Sequence, residues 1–415
     1  MSARQPVASA PGASYRLLRR LLAGLAAAVL LLAAFWRLSL PPRPDRFYDP
    51  PAGAIASPGT LLRAAPFVRD VPARARGWRI LYATRRADGA PAVASAIVLV
   101  PLAPSLRPRP VIAWAHGTTG VEAGCAPSLL AHPFPDVPAL GAVIGRGWAL
   151  VATDYPGLGT RGMGREPVHP YLVGADEAHS ALDAVRAARH LPGSGLADQV
   201  VVWGHSQGGH TALWTGILAE TYAPDLALAG VAALAPASDL PELTERVQST
   251  LAGRITTSYL VTAYSGVFSD VQFDQVVRGP ARLLARDIAR RCLGGMRALT
   301  SVAEAHMLGG PIFREDPRTG AFGERLRENT PAAHIAAPLL IAQGLKDPLV
   351  LPEVQAAYVG RQCRAGQPLT YLTYPDRDHL SLVAADSPLI AVLLGWSEER
   401  FRGVPARDRC PGRGL

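Results

Sequence analysis

Three residues in the order serine, aspartate, histidine give this chain its chemistry: Ser206, Asp347 and His379. Ser206 sits in Gly204-His205-Ser206-Gln207-Gly208-Gly209, directly after the apolar run Val200-Val201-Val202-Trp203 and before the helix-forming stretch 211–218. A strand, a sharp turn and a helix hold a serine at the rim of a sheet, and the glycines let the backbone close tightly around it. A serine hydroxyl is a poor nucleophile at neutral pH. It needs a base to take its proton and an acid to orient that base. Attack on a carbonyl carbon, through an acyl-enzyme, is the chemistry such a set performs.

Both partners follow at the ends of predicted strands. The buried run 338–345 leads into Lys346-Asp347-Pro348, and the run 369–375 leads into Asp376-Arg377-Asp378-His379. Sites on parallel sheets collect at these strand ends. Among the histidines well beyond the serine, His306 lies in a helical pattern and His334 precedes a strand, which leaves His379 as the base. Asp376 and Asp378 are too near His379 in sequence to reach its Nδ1 while Nε2 faces the serine. Asp347 comes from a separate strand and is expected to be the acid.

The developing oxyanion needs donors. One is expected from the backbone N–H of Gln207. The other is expected from Thr118, with Gly117 the near alternative, in the loop His116-Gly117-Thr118-Thr119-Gly120 that follows the strand 110–115. The loop Asp154-Tyr155-Pro156-Gly157-Leu158-Gly159 should lie on the same rim, where His116, Asp154, Tyr155 and His205 are expected as supporting groups. His205 and His210 flank the serine and read as packing around the turn.

Two opening strands, 79–85 and 93–101, read as an antiparallel pair. The runs 111–116, 148–154, 200–205, 231–237, 338–345 and 369–375 read as mainly parallel strands. Helical patterns at 176–190 and 207–222 lie between them, so an α/β fold with its sheet covered on both faces is expected. About 100 residues separate 237 from 338, too many for a bare loop. Helical patterns at 240–251, 272–293 and 295–308 suggest a helical cap insertion at about 238–335.

Three segments together resemble the secretory lipase family of α/β-hydrolases: 113–120, 152–159 and Gly204-His205-Ser206-Gln207-Gly208-Gly209-His210. The ends, Phe47-Tyr48-Asp49-Pro50-Pro51 and 400–405 with Cys410, are similar as well, so the resemblance covers roughly residues 45–412. It implies the α/β-hydrolase fold, a serine hydrolase acting on esters, a helical cap over the acyl pocket, and the same triad of Ser206, Asp347 and His379. Where fungal members carry an acidic residue in the first oxyanion loop, this chain has His116-Gly117-Thr118. Acylglycerols or similar lipid esters are the expected substrates. An acyltransferase or a serine peptidase could use the same triad, and a non-catalytic binding module is the reading from a different class.

One hydrolase domain, 45–412, accounts for the length, and 49% hydrophobic residues supply its core. The formal charge of +9 does not point to nucleic acid. Seven arginines against Asp45 place +6 in residues 1–46, which leaves +3 on the other 369. Arg16-Leu17-Leu18-Arg19-Arg20 followed by the uncharged run 21–36 reads as a targeting segment, so residues 1–44 are expected to be a signal or membrane anchor with its linker. No small-x-small site follows closely, Ala54-Ile55-Ala56 being too far downstream, and Trp36-Arg37 resembles an interfacial end, so an uncleaved anchor is favoured. The catalytic part is then exported, where disulfides form. Four cysteines allow three pairings. Cys125–Cys292 is expected to fasten cap to core, and Cys363–Cys410 to tie down the tail. No metal or cofactor is expected, because ligand-like His/Cys spacing and phosphate-binding glycine patterns are lacking.

Overall fold

The continuous apolar runs form strands that are covered on both faces, and period-two alternation sorts their side chains between two cores. Val111, Ala113, Val200, Val202, Val231, Ala233, Leu339 and Ile341 point to one core. Their neighbours Ile112, Trp114, Val201, Trp203, Ala232, Leu234, Leu340 and Ala342 point to the other. The computed structural model describes residues 12–51, 56–160 and 169–410. Arg4 of the basic flank, Ala54 and Ile55, and residues 411–412 of the predicted domain lie outside them.

The chain divides after Leu40 into two units. The first holds helix α1 (Gly12–Leu38). The second opens with strands β1 (Leu61–Phe67), β2 (Ala75–Arg85), β3 (Pro91–Pro101) and β4 (Arg109–Ala115). Helix α2 (Leu140–Gly145), β5 (Ala149–Thr153), α3 (Gly174–Arg189), β6 (Leu196–His205), α4 (Gln207–Tyr222) and β7 (Ala227–Leu234) follow. Six helices come next: α5 (Leu240–Val247), α6 (Leu251–Val267), α7 (Phe273–Val276), α8 (Arg282–Ala289), α9 (Gly295–Met307) and α10 (Gly320–Glu328). Strand β8 (Leu339–Gly344), α11 (Pro352–Arg364), β9 (Thr370–Tyr374) and α12 (Leu389–Phe401) complete the fold. The sheet order is β1-β2-β3-β5-β4-β6-β7-β8-β9. β1, β2, β3 and β5 are joined by antiparallel pairings, and the remaining pairings are parallel.

Three elements differ from the sequence expectation. Strand β1 has no clean alternation and carries Pro66, which only an edge strand tolerates, and β1 is the edge. The predicted helix 272–293 is broken at Gly279-Pro280, which separates α7 from α8. Helix α6 begins where the predicted helix 240–251 was to end, because Thr250 caps it by accepting from the Gly253 N–H.

The helices between β7 and β8 have a core of their own. Ile255, Tyr259, Tyr264, Ile288, Phe313 and Phe322 pack there with Tyr171, Leu172 and Val173 from the segment before α3. Disulfides join Cys125 to Cys292 and Cys363 to Cys410. The first ties the stretch after β4 to the end of α8, where Leu293 N–H also donates to Thr119 O at 2.8 Å.

The turn between β6 and α4 is closed by backbone contact. A Cβ on Gly208 would lie 1.8 Å from Ala115 O at the end of β4, and one on Gly204 would lie 1.9 Å from Gly208 O. No flexible side chain can yield there. Gly208→Ala is therefore expected to lower stability by about 3 kcal/mol or more, as overpacking against backbone does, read as a shifted urea unfolding midpoint.

Candidate active site

Ser206 joins β6 to α4 at φ 58° and ψ −117°, a left-handed conformation costly for a residue with a Cβ. The turn is over-determined. Ser206 N–H donates to Leu234 O at 3.0 Å, and Ser206 O accepts from His210 N–H at 3.1 Å and Ala237 N–H at 3.2 Å. Its hydroxyl is half-buried and makes no hydrogen bond to another described residue.

Asp347 and His379 meet although 32 residues separate them. His379 Nδ1–H donates to Asp347 Oδ2 at 2.7 Å. Asp347 Oδ1 accepts the N–H groups of Leu349 and Val350 at 2.8 and 2.9 Å. Gln343 Nε2 adds a longer bond to Oδ2, 3.3 Å. Both residues are buried. With Nδ1 committed as donor, Nε2 of a neutral His379 carries the lone pair a base requires. His205 brings this pair to the serine turn. Its Nε2–H donates to His379 O at 2.9 Å, and the two rings lie 4.6 Å apart. Burial, with the charge of His379 adding to it, pushes the His205 imidazole down to about 3, so it serves as a neutral strut. Asp376 and Asp378 turn elsewhere, to Lys346 and Ser381.

The loop 116–120 packs against the serine turn. A Cβ on Gly117 would lie 3.7 Å from Ser206 Cβ and 3.4 Å from His205 O. The N–H groups of Gly117 and Thr118 meet no acceptor among the described residues. Gln207 opens α4, where an N–H has no intrahelical partner. The Thr118 hydroxyl and the Tyr171 phenol are 2.8 Å apart.

His116 and Tyr155 brace this loop. Tyr155, at φ 67°, donates its O–H to His116 O at 3.1 Å. The His116 ring is buried, which lowers its basicity, and its Nδ1 lies 2.6 Å from Gly117 O. Asp154 is fully buried. Its carboxylate accepts from Ser95 Oγ at 2.6 Å, Ser128 Oγ at 2.5 Å and Ser128 N–H at 2.9 Å, which fixes the stretch that carries Cys125.

A buried polar cluster that sequence reasoning missed lies behind Gln207. Glu177 of α3, His169, Thr211 and the Gln207 side chain form it. His169 Nδ1–H donates to Pro156 O at 3.1 Å, so its Nε2 accepts from Gln207 Nε2 at 2.9 Å. Burial pushes His169 down to about 4 and keeps it neutral. Glu177 falls in the first turn of the predicted helix 176–190, where nothing local marks it. Among the described residues, no group of three or more His, Cys, Asp or Glu is placed to hold a metal ion.

The secretory lipase family model matches residues 135–409. A Mycobacterium tuberculosis protein named as a probable inactive lipase is 27% identical over 88% of this chain and 84% of its own length. Lipase A of Moesziomyces aphidis is 23% identical over 96% and 89%. Among solved structures, Candida antarctica lipase A superposes with a TM-score of 0.71 at 18% identity, covering 88% of this chain and 87% of that one. The cell-wall-degrading esterase LipA of Xanthomonas oryzae gives 0.65 at 22%, covering 83% and 100%. These neighbours share the α/β-hydrolase fold.

Burial pushes the Asp154 carboxyl up to about 6 from its ordinary 3.8, against the pull of its serine donors. The folded state therefore holds this proton more tightly than the unfolded chain does. The stability it contributes is complete below about pH 4 and is lost as pH rises through 6, a change of about 3 kcal/mol. Asp154→Asn is expected to flatten that part of the stability–pH curve, measured by urea unfolding between pH 4 and 7. The slope due to Asp176, also pushed up to about 6 by burial, should remain.

Proposed function

Since the chain belongs to the secretory lipase family, we propose that it is an exported serine ester hydrolase that cleaves lipid esters through an acyl-enzyme on Ser206. The observation that carries this reading is the buried His379–Asp347 pair, held by His205 against a serine in a strained strand–helix turn.

Ser206 Oγ attacks the ester carbonyl while His379 Nε2 takes its proton. The serine–histidine hydrogen bond forms as substrate binds, since catalytic bonds tighten in the complex. Asp347 holds the Nδ1–H tautomer and stabilises the imidazolium that forms. The N–H groups of Gln207 and Thr118, with Gly117 beside them, receive the developing oxyanion. The tetrahedral intermediate collapses, His379 returns its proton to the leaving alcohol, and water, deprotonated by His379, releases the acid.

Two features support a lipid substrate. The helices between β7 and β8 read as a cap, 238–335, within a domain spanning 45–412. On α9 the polarity is reversed: Ser301 and Glu304 face inward, while Leu299, Val302 and Met307 are 57%, 42% and 67% exposed. An exposed apolar stripe of this kind suits contact with an apolar phase. Export is supported by the disulfides and by α1, whose span Tyr15–Leu38 contains an 18-residue stretch of mean hydropathy 2.1 with none of it buried. We read residues 1–44 as an uncleaved anchor and linker.

Hydrolysis of p-nitrophenyl esters from C2 to C16 tests the proposal. Turnover is expected to peak at C8 or longer and to fall at least about 10⁴-fold in Ser206→Ala, the scale of losing a serine nucleophile. A peak at C2 to C4 would make the protein a short-chain esterase. Turnover that survives Ser206→Ala would overturn the reading.

A further inference from the structure

Glu177 is fully buried, and an ionised carboxylate is costly there unless donors surround it. They do. Oε1 accepts from Gln207 Nε2 at 2.6 Å and from Leu172 N–H at 3.0 Å. Oε2 accepts from Thr211 Oγ at 2.6 Å. His210 Nδ1 stands 3.7 Å from Oε2, while its Nε2–H is committed to Asn329 O at 2.7 Å. Burial alone would raise this carboxyl, but His210 beside it and the Thr211 hydroxyl outweigh it and hold Glu177 below its ordinary value.

The partners of this carboxylate fall on both sides of the presumed oxyanion site. Gln207 and Thr211 are positions i and i+4 on the first turn of α4, and Gln207 supplies one candidate N–H donor. Leu172, at φ 58°, follows Tyr171, whose phenol meets Thr118 Oγ, and Thr118 supplies the other donor. The Leu172 carbonyl is held in turn by Tyr264 O–H of α6 at 3.1 Å.

We propose that Glu177 is a positioning residue for the oxyanion site: one carboxylate fixes the Gln207 backbone donor through that residue's side chain and the Thr118 donor through Leu172 and Tyr171. The proposal rests on the acyl-transfer reading of Ser206. Charge and position pull in opposite directions here, which makes the sign informative. A fixed negative charge near a developing oxyanion works against it, so removing the charge alone would speed the reaction. Loosening both donors slows it, because small misplacements of reacting groups are costly in rate.

The test compares wild type, Ser206→Ala, Glu177→Gln, Glu177→Ala and Tyr171→Phe with p-nitrophenyl octanoate, using kcat per Ser206 titrated to completion with a fluorophosphonate. Glu177→Gln is expected to lower kcat about 10-fold and Glu177→Ala about 100-fold, with KM changed less than threefold. Tyr171→Phe, which cuts only the Thr118 arm, should cost less than Glu177→Gln. Affinity for a trifluoromethyl ketone, whose adduct places an oxyanion in the same site, should fall in proportion to kcat. Should Glu177→Ala fail to fold, the Gln and Tyr171 variants carry the test. An unchanged or raised kcat per titrated site in Glu177→Gln, with Ser206-dependent wild-type turnover, overturns the Glu177 proposal alone. Wild-type turnover that is absent or independent of Ser206 overturns the underlying reading and this proposal with it.

Discussion

The structure depends on the close approach of three backbone stretches around Ser206. The end of β4 touches Gly208, the turn touches itself at Gly204, and Gly209 packs on Pro236 after β7. A serine with positive φ costs on the order of 1–3 kcal/mol and persists only when its surroundings leave no alternative. Here the surroundings are the centre of a nine-stranded sheet, with β4 and β7 flanking β6. The same contact that enforces the strain puts Gly117 against the serine, so Ser206 and the loop 116–120 are positioned by one packing event.

Around that contact the chain builds outward in polar and covalent layers. Asp347 and His205 fix His379 from two directions. Tyr155 and Tyr171 hold the loop 116–120 through His116 O and Thr118 Oγ, and Glu177 links the segment that carries Tyr171 to α4. Beyond these, Cys125–Cys292 and the Thr119–Leu293 backbone bond tie the loop to the end of α8. Tyr259 of α6 donates to Arg291 O beside that disulfide at 3.1 Å. The helices between β7 and β8 thus share supports with the site.

What was legible in the sequence was local. The serine turn shows itself because strand, glycines, serine and helix are contiguous. Asp347 and His379 could be picked out because each ends a strongly apolar run, and parallel strands collect their functional groups at that end. Strand β1 was hidden because Pro66 and Arg63 break its pattern, and an edge strand needs little pattern. The α7–α8 break was written in Gly279-Pro280 but masked by flanking apolar spacing. Glu177 was illegible for a different reason. Its role is defined by Leu172, Gln207 and Thr211 converging from separate stretches, and nothing in the sequence around position 177 announces that convergence. The pairing of charge with burial becomes visible only when the neighbours are placed.

The central claim is that Ser206 becomes covalently acylated in turnover. The most direct measurement is mass spectrometry of the protein quenched in acid during hydrolysis of a slowly deacylating ester, followed by peptide mapping. The account expects one acyl group per chain, located on Ser206 and absent from Ser206→Ala. Turnover with no adduct at any time after mixing, or an adduct on another residue that survives in Ser206→Ala, would contradict it.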